Sequence, residues 1–580
     1  MLPRVGSFRG EIMRRIITIA LVLGVAAMIG IALLRTGSQI PEQSVLVLEL
    51  GGQLEEAPPL DALQRLSARG PALPTLLLQL EKAAADTRVQ AVLLQIRALD
   101  IGYARIQELR DAVMRLRRAG TVVIALLDLA TLNATRELYL ASSADKIYLV
   151  PGFLGPFAGI AGQYLHLGGF FEKLGVQIEY ERVGKYKSAP EMFAARELSE
   201  PAREIFNNLL DGLFAQIVTG IATGRGLEAT RVRELVEAAP STADEYIAVG
   251  LADGVADLKQ VLELEGLGEA EEVRWDVYVR VDPRDLGLRS GPRIALIFGD
   301  GPITQGGRGL SPRARAFAAD SISEALEDAA EDEDILAVVL RINSGGGSAL
   351  ASDQLWRVVQ RVREKKPVVI SMADAAASGG YYVASAATAI VAEPATLTGS
   401  IGIFFLRPAL SGLYRKLGIG SEVLARGPYA EIAVGDKPFT AAQRERTSRF
   451  VRALYQEFLE RVASGRGVST EEVDRLGQGR VWLGESALAH GLVDELGGLH
   501  AAVTRAQHEA GLDPELDPER VILPGPRGLV NQLSDLMRGE LSRGLMERII
   551  PVRLPLILRS AALLVEGELA YLPPYWVEIH

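Results

Sequence analysis

The sequence predicts an α/β fold built twice in tandem behind a single N-terminal membrane span. Three observations lead there. One register of self-similarity runs through the chain, β-rich runs alternate with helical patterns in both halves, and an uncharged apolar stretch lies close to the start. A chain of 580 residues also exceeds one ordinary hydrophobic core, so at least two domains are expected.

The apolar stretch comes first. Arg4, Arg9, Arg14 and Arg15 precede the uncharged run Ile16 to Leu34. As a helix that run is about 28 Å long, enough to cross a bilayer core. The arginines should keep residues 1–15 in the cytoplasm and send residue 36 onward to the other side. A cleaved signal peptide is the rival reading. The run ends LLRTGSQIPEQ, without an Ala-x-Ala-like site, so an uncleaved anchor over 16–34 is expected.

The repeat follows. QAVLLQIRALD (90–100) matches LAVVLRINSGG (336–346), and VVIALLD (122–128) matches VVISMAD (368–374). LYLASSADKIYLVP (138–151) matches YYVASAATAIVAEP (381–394), and GLADG (250–254) matches GLVDE (491–495). The offset drifts only from 246 at the first pair to 241 at the last. Each half opens on a short apolar strand pattern, VLVLEL (45–50) and IALIF (294–298). The expected units are a first repeat over 43–262, a linker with one possible strand over 263–291, a second repeat over 292–510, and an extension over 511–580. Residues 545–579 are apolar but broken by charges and prolines, too interrupted for a second span.

Composition removes several kinds of chemistry. The net charge is −11 and no basic block follows the N-terminus, which argues against a nucleic-acid partner. There is no cysteine, so disulfides, thiol catalysis and cysteine-based zinc sites are excluded. The five histidines, at 166, 490, 500, 508 and 580, form no HExxH pattern, and no metal or other cofactor is expected.

The repeat serves as its own control, because shared positions carry the fold and differences can carry function. Aligned from its right flank, where Tyr381 meets Leu138, the AAASGGYY segment of the second half falls on the NATRELYL region (133–140) so that Ser378 faces Thr135, and Gly379 and Gly380 face Arg136 and Glu137. INSGGGSA (342–349) stands opposite IRALDIGY (96–103), so the glycine run exists only in the second half. VGKYKSAPEMF (183–193) stands opposite RGPYAEIAVGD (426–436), where Lys187 meets Ala430. One half keeps a serine and the other a lysine. Packed around one cleft, the halves would supply one pair.

That pair has a chemistry. A serine hydroxyl needs a base to become a nucleophile, and no histidine lies in these segments. A lysine can serve if it is neutral, which at pH 7 costs about 4–5 kcal/mol against its free pKa of about 10.4. Burial disfavours the ammonium and provides that shift. Backbone N–H groups at Gly379 and in the SGGG turn would meet an oxyanion. The plainer readings are that Ser378 is a helix N-cap, that Lys187 is a surface lysine and that SGGG is an ordinary turn. GKYKS is not a phosphate loop.

VGKYKSAPEMF, RINSGGGSALAS, DAAASGGYYVASAA, ATLTGSIGIF and GLVDELGG together resemble the signal peptide peptidase A (protease IV) family in its long, duplicated, membrane-anchored form, over roughly residues 12 to 510. The resemblance implies two domains of the Clp protease subunit and crotonase type. It implies Ser378 as nucleophile, Lys187 as general base, Ser400 of LTGSIG as the group orienting the lysine, and Gly379 and Gly347 as oxyanion donors. It further implies a homotetramer at the bacterial cytoplasmic membrane, its clefts on the extracytoplasmic side, cleaving signal peptides and other apolar peptides. Gly345 stands where the family usually has proline. Two rivals remain at this point, a non-catalytic membrane-tethered peptide-binding or assembly scaffold and a crotonase-like enzyme acting on CoA esters.

Overall fold

Buried parallel strands need apolar residues on both faces, and the runs VQAVLLQIRAL and ILAVVLRINS meet that need. In the computed structural model they are the inner strands of two separate sheets. Residues 40–58, 72–306, 317–434, 436–525, 570–571 and 578–579 are described. The expected anchor at 16–34, the basic segment before it and most of the 511–580 extension lie outside the described residues.

The first sheet runs, edge to edge, through strands 254–255, 146–149, 122–127, 89–99, 44–52 and 271–274, all parallel. In the second, eight-stranded sheet that order recurs as 495–496, 389–392, 368–377, 335–344, 291–300 and 518–523, again parallel, with strand 397–399 added on 368–377 and strand 481–483 antiparallel beside it. The chain is therefore two α/β domains in tandem. Strand for strand, 271–274 corresponds to 518–523. The interval 263–291 and the segment after 510 thus do have counterparts in each other, and each returns a strand to the first strand of its own half. Sequence matching ended both repeats one strand early, because EEVR and PERVIL share a geometric role but little sequence.

Helices cross between strands and are capped by sequence. Ser348 accepts from Ala351 N at the start of Ala349–Arg363. Thr440 and Gln443 form a capping box before Ala441–Arg466. That helix and Glu200–Arg225, its counterpart in the first half, end on Gly467 and Gly226 in the left-handed conformation. Glu200–Arg225 is the one helix among the described residues long and apolar enough to cross a membrane. Its apolar face is spent inside the protein. Leu213, Ile217 and Ile221 join the first core, and Ile205 and Leu209 pack with Tyr186, Val481 and Leu483.

The halves join through a third, mixed sheet. Strand Gln177–Val183 of the first half lies antiparallel on Ile403–Ala409 of the second, from Ile403↔Val183 to Ala409↔Gln177. Lys187 follows the first of these strands directly, and Ser400 precedes the second. Buried ion pairs add to the joint. Arg341 Nε meets Glu56 at 2.7 Å and its Nη2 meets Glu108 at 2.6 Å. Asp374 accepts from Gly102 N at 3.0 Å, Arg105 N at 3.1 Å and the Arg105 side chain.

Candidate active site

Strand Val368–Ala377 delivers Ser378 to the end of the second sheet, where the chain turns sharply into the short helix Gly379–Ala384. Ser378 has φ 56° and ψ −114°, a conformation that costs a non-glycine residue about 1–3 kcal/mol. Its N–H is held by Gly399 O at 2.8 Å. Ser378 stands at the N-cap position of that helix, but its hydroxyl makes no cap bond, so capping does not account for the serine. The two glycines after it are required by space. A Cβ on Gly379 would stand 2.6 Å from Ser352 Oγ, and one on Gly380 would stand 2.9 Å from Ser344 O. The Arg136 and Glu137 of the first half would not fit in their place.

Lys187 is fully buried, so it is not a surface lysine. Its Nζ lies 2.7 Å from Ser378 Oγ, 2.9 Å from Ser400 Oγ and 3.1 Å from Ser400 O. Burial, with no anion to offset it, drives its pKa well below the ordinary lysine value. The three partners suit a neutral amine. Two N–H groups can donate to the Ser400 carbonyl and hydroxyl, which leaves the nitrogen lone pair for the Ser378 O–H. Ser400 is itself held in a positive-φ turn, its N–H donating to Arg480 O at 2.7 Å.

The lysine is enclosed by residues that the sequence reading did not single out. A Cβ on Gly479 would fall 2.4 Å from Lys187 N, and one on Gly402 would fall 3.2 Å from Lys187 Cδ. Tyr186 N donates to Gln478 O at 2.8 Å, and the Arg480 guanidinium stacks on the Tyr186 ring, 3.8 Å from its centroid. The GQGR turn (477–480) carries no chemical signature, so only the fold could connect it with Lys187.

The two expected oxyanion donors are neighbours. The Gly379 Cα side faces the glycine turn, where an added Cβ would stand 3.2 Å from Gly346 Cα and 3.3 Å from Gly347 N. Gly347 is itself pressed against Ile303, whose N–H donates to Gly346 O at 3.0 Å. Ser344 Oγ accepts from Gly346 N at 3.1 Å, which gives the turn a fixed shape without a proline at 345. All five residues singled out from sequence, Ser378, Lys187, Ser400, Gly379 and Gly347, come together at one place. Among the described residues no cluster of metal-ligating side chains occurs.

A hydroxyl and a buried amine in contact, beside closely packed glycine backbones, is an arrangement suited to a serine peptidase. Comparison with known proteins gives the same class. The signature of peptidase family S49 matches residues 115–268 and 360–513, one stretch in each half. The chain belongs to that family and is a serine peptidase. It is 32 % identical to the chloroplastic serine protease SPPA of Arabidopsis thaliana across 82 % of this chain and 70 % of the relative. It is 30 % identical to protease 4 of Haemophilus influenzae and 32 % identical to protease 4 of Salmonella typhi, in each case across 74 % of this chain and 71 % of the relative.

Proposed function

We propose that the protein is a membrane-anchored endopeptidase using a Ser378–Lys187 dyad to degrade signal peptides and other apolar peptides. The observation that carries this reading is the 2.7 Å contact between Lys187 Nζ and Ser378 Oγ in a wholly buried setting. Neutral Lys187 takes the Ser378 proton as Oγ attacks the scissile carbonyl. The carbonyl oxygen, now negative, receives the N–H groups of Gly379 and Gly347. The resulting ammonium gives its proton to the leaving amine, which departs as the acyl-enzyme forms. Water, deprotonated by the same amine, then hydrolyses the ester and restores Ser378. Ser400 keeps the lysine nitrogen on line through both steps.

With an anchor at 16–34, both domains lie on the extracytoplasmic side, next to peptides left in the bilayer. The two halves share one order of parallel strands, and we read both as domains of the Clp protease subunit and crotonase type on the strength of the sequence resemblance. The homotetramer rests on the sequence resemblance, and surfaces that the duplication fills once and leaves open once favour contact between copies. Gly175 packs on Gly412, where a Cβ on Gly175 would meet Gly412 C at 2.9 Å. At the repeat offset of 243, the equivalents Gly418 and Gly169 have no close backbone partner. Leu417, Ile419 and Leu424 are exposed at one of these surfaces and Phe170 at the other, which suits head-to-tail contact between copies.

The test is labelling with a fluorophosphonate, read by intact-protein mass in wild type, Ser378→Ala and Lys187→Ala. An adduct in the wild type alone is expected. Equal labelling of all three, or no labelling and no peptide cleavage by a folded wild type, rules the dyad out.

A further inference from the structure

Lys187 sits on a turn, and a turn alone does not fix a side chain to a few tenths of an ångström. Its main chain is held from behind. Arg182, on strand Gln177–Val183, donates from Nη1 to the Lys187 carbonyl at 2.9 Å and to Glu191 Oε1 at 2.7 Å. Glu191 is almost wholly buried and is fixed in turn by Ser199, which gives it an Oγ–H bond at 2.9 Å and an N–H bond at 3.3 Å. Ser199 is the N-cap of the long helix Glu200–Arg225. A continuous path of hydrogen bonds thus ties the lysine's backbone to the most extended rigid element of the first half.

The duplication supplies a second, independent observation. At the offset of 243, Gly184 and Tyr186 are retained as Gly427 and Tyr429, so the turn itself is kept. Lys187 becomes Ala430, Arg182 becomes Ala425 and Glu191 becomes Val434. The N-cap of the following helix survives as Thr440, at an offset of 241 from Ser199. A pair needed only to fold the turn would persist wherever the turn persists. This pair is absent from the half that lacks the lysine.

We propose that Arg182 and Glu191 are positioning residues for Lys187, acting as one brace on its carbonyl. The inference rests on the Ser378–Lys187 reading. Neither residue touches the reacting atoms. Both act by keeping the amine on the Ser378 hydroxyl, where a shift of about 1 Å is enough to lower a rate about 100-fold.

The experiment uses the full chain and compares fluorophosphonate labelling rates, per folded molecule, for wild type, Arg182→Ala, Glu191→Gln, the double variant and Arg182→Lys. Each single variant is expected to slow labelling by about 10- to 100-fold. The double variant should be no slower than the slower single, because the two residues form one unit. Arg182→Lys should recover part of the rate, since an ammonium can still reach the carbonyl. Wild-type rates in either single variant, or losses that multiply in the double, overturn the brace. Glu191→Gln keeps shape and volume and decides the matter if Arg182→Ala does not fold. Hydrogen exchange over residues 184–190 separates this inference from the dyad. If the wild type takes no label the dyad falls, and unchanged exchange in Arg182→Ala would independently sink the brace.

Discussion

Replacing Lys187 by methionine should abolish labelling and yet make the protein more stable near neutral pH. A lysine kept neutral at pH 7 costs about 4–5 kcal/mol relative to a solvated ammonium of pKa about 10.4. The fold sets three hydrogen bonds against that cost, to Ser378 Oγ, Ser400 Oγ and Ser400 O. At about 0.5–1.5 kcal/mol net each, they return about 3 kcal/mol. Methionine fills a similar volume without a charge, so a net gain of about 1–2 kcal/mol is expected at pH 7. The pH dependence is the sharper test. Burial lowers the Lys187 pKa, so between that lowered value and about 10.4 the unfolded chain binds the extra proton. The wild type should therefore gain about 1.4 kcal/mol of stability per pH unit through that window relative to the variant. The variant's advantage shrinks as pH rises and reverses near pH 8, and by about pH 10 only its lost hydrogen bonds remain, leaving it about 3 kcal/mol less stable than the wild type. Urea midpoints of both proteins at pH 7, 8, 9 and 10 measure this. Parallel curves for the two proteins would refute a neutral, buried lysine.

Three further outcomes follow from the same geometry. Labelling of the wild type should rise with pH on its acid side and level off below the range of an ordinary lysine, because only the neutral amine can accept the Ser378 proton; a profile still climbing at pH 10 would contradict the lowered pKa. Gly479→Ala places a methyl 2.4 Å from Lys187 N at a residue with φ 78°, so labelling should fall by about 100-fold, measured against the unfolding midpoint as a control. Arg341→Met strips the cation from buried Glu56 and Glu108 and should destabilise the fold by about 3–5 kcal/mol in urea titration at pH 8. Burial already holds the Glu56 carboxyl up at about 7 beside Arg341, so that loss should be smaller at pH 5.5, where the carboxyl is protonated.

The legible parts of this protein are those in which one residue type carries the chemistry. Ser378 and Lys187 stood out because each half lost what the other kept, and the parallel strands stood out because burial on both faces forces apolar runs. Gly479 and Gly402 did not stand out, because a glycine required by another segment's backbone looks like any turn glycine until the segments meet. The pairing of 177–183 with 403–409 was hidden for a similar reason. Backbone hydrogen bonds between strands are sequence-independent, and the polarity alternation of QIEYERV is not specific to a partner. Strand 271–274 was lost to matching because an edge strand is constrained on one side only.

The joint between the halves is apolar where Ile205 and Leu209 meet Val481 and Leu483, and the buried charges set beside that contact have a physical reason in the site. An apolar interface tolerates small slides, whereas the dyad does not, since hydrogen-bond geometry between Lys187 and Ser378 fails within a fraction of an ångström. Buried charges are a costly way to gain stability but an effective way to admit a single register. Asp374 lies four residues before Ser378 on the same strand, and it is gripped by Gly102 N, Arg105 N and the Arg105 guanidinium from the first half. A Cβ at Gly102 would overlap the Asp374 carboxylate at 2.3 Å, so the backbone of the first half is moulded to the strand that leads to the serine. Residues 96–103 of the first half, which carry no glycine run, include Gly102, whose N–H helps to seat the second half's nucleophile strand. On this argument the first half contributes twice to the chemistry, once by lending the base through its 187 turn and once by fixing the strand that the base must reach.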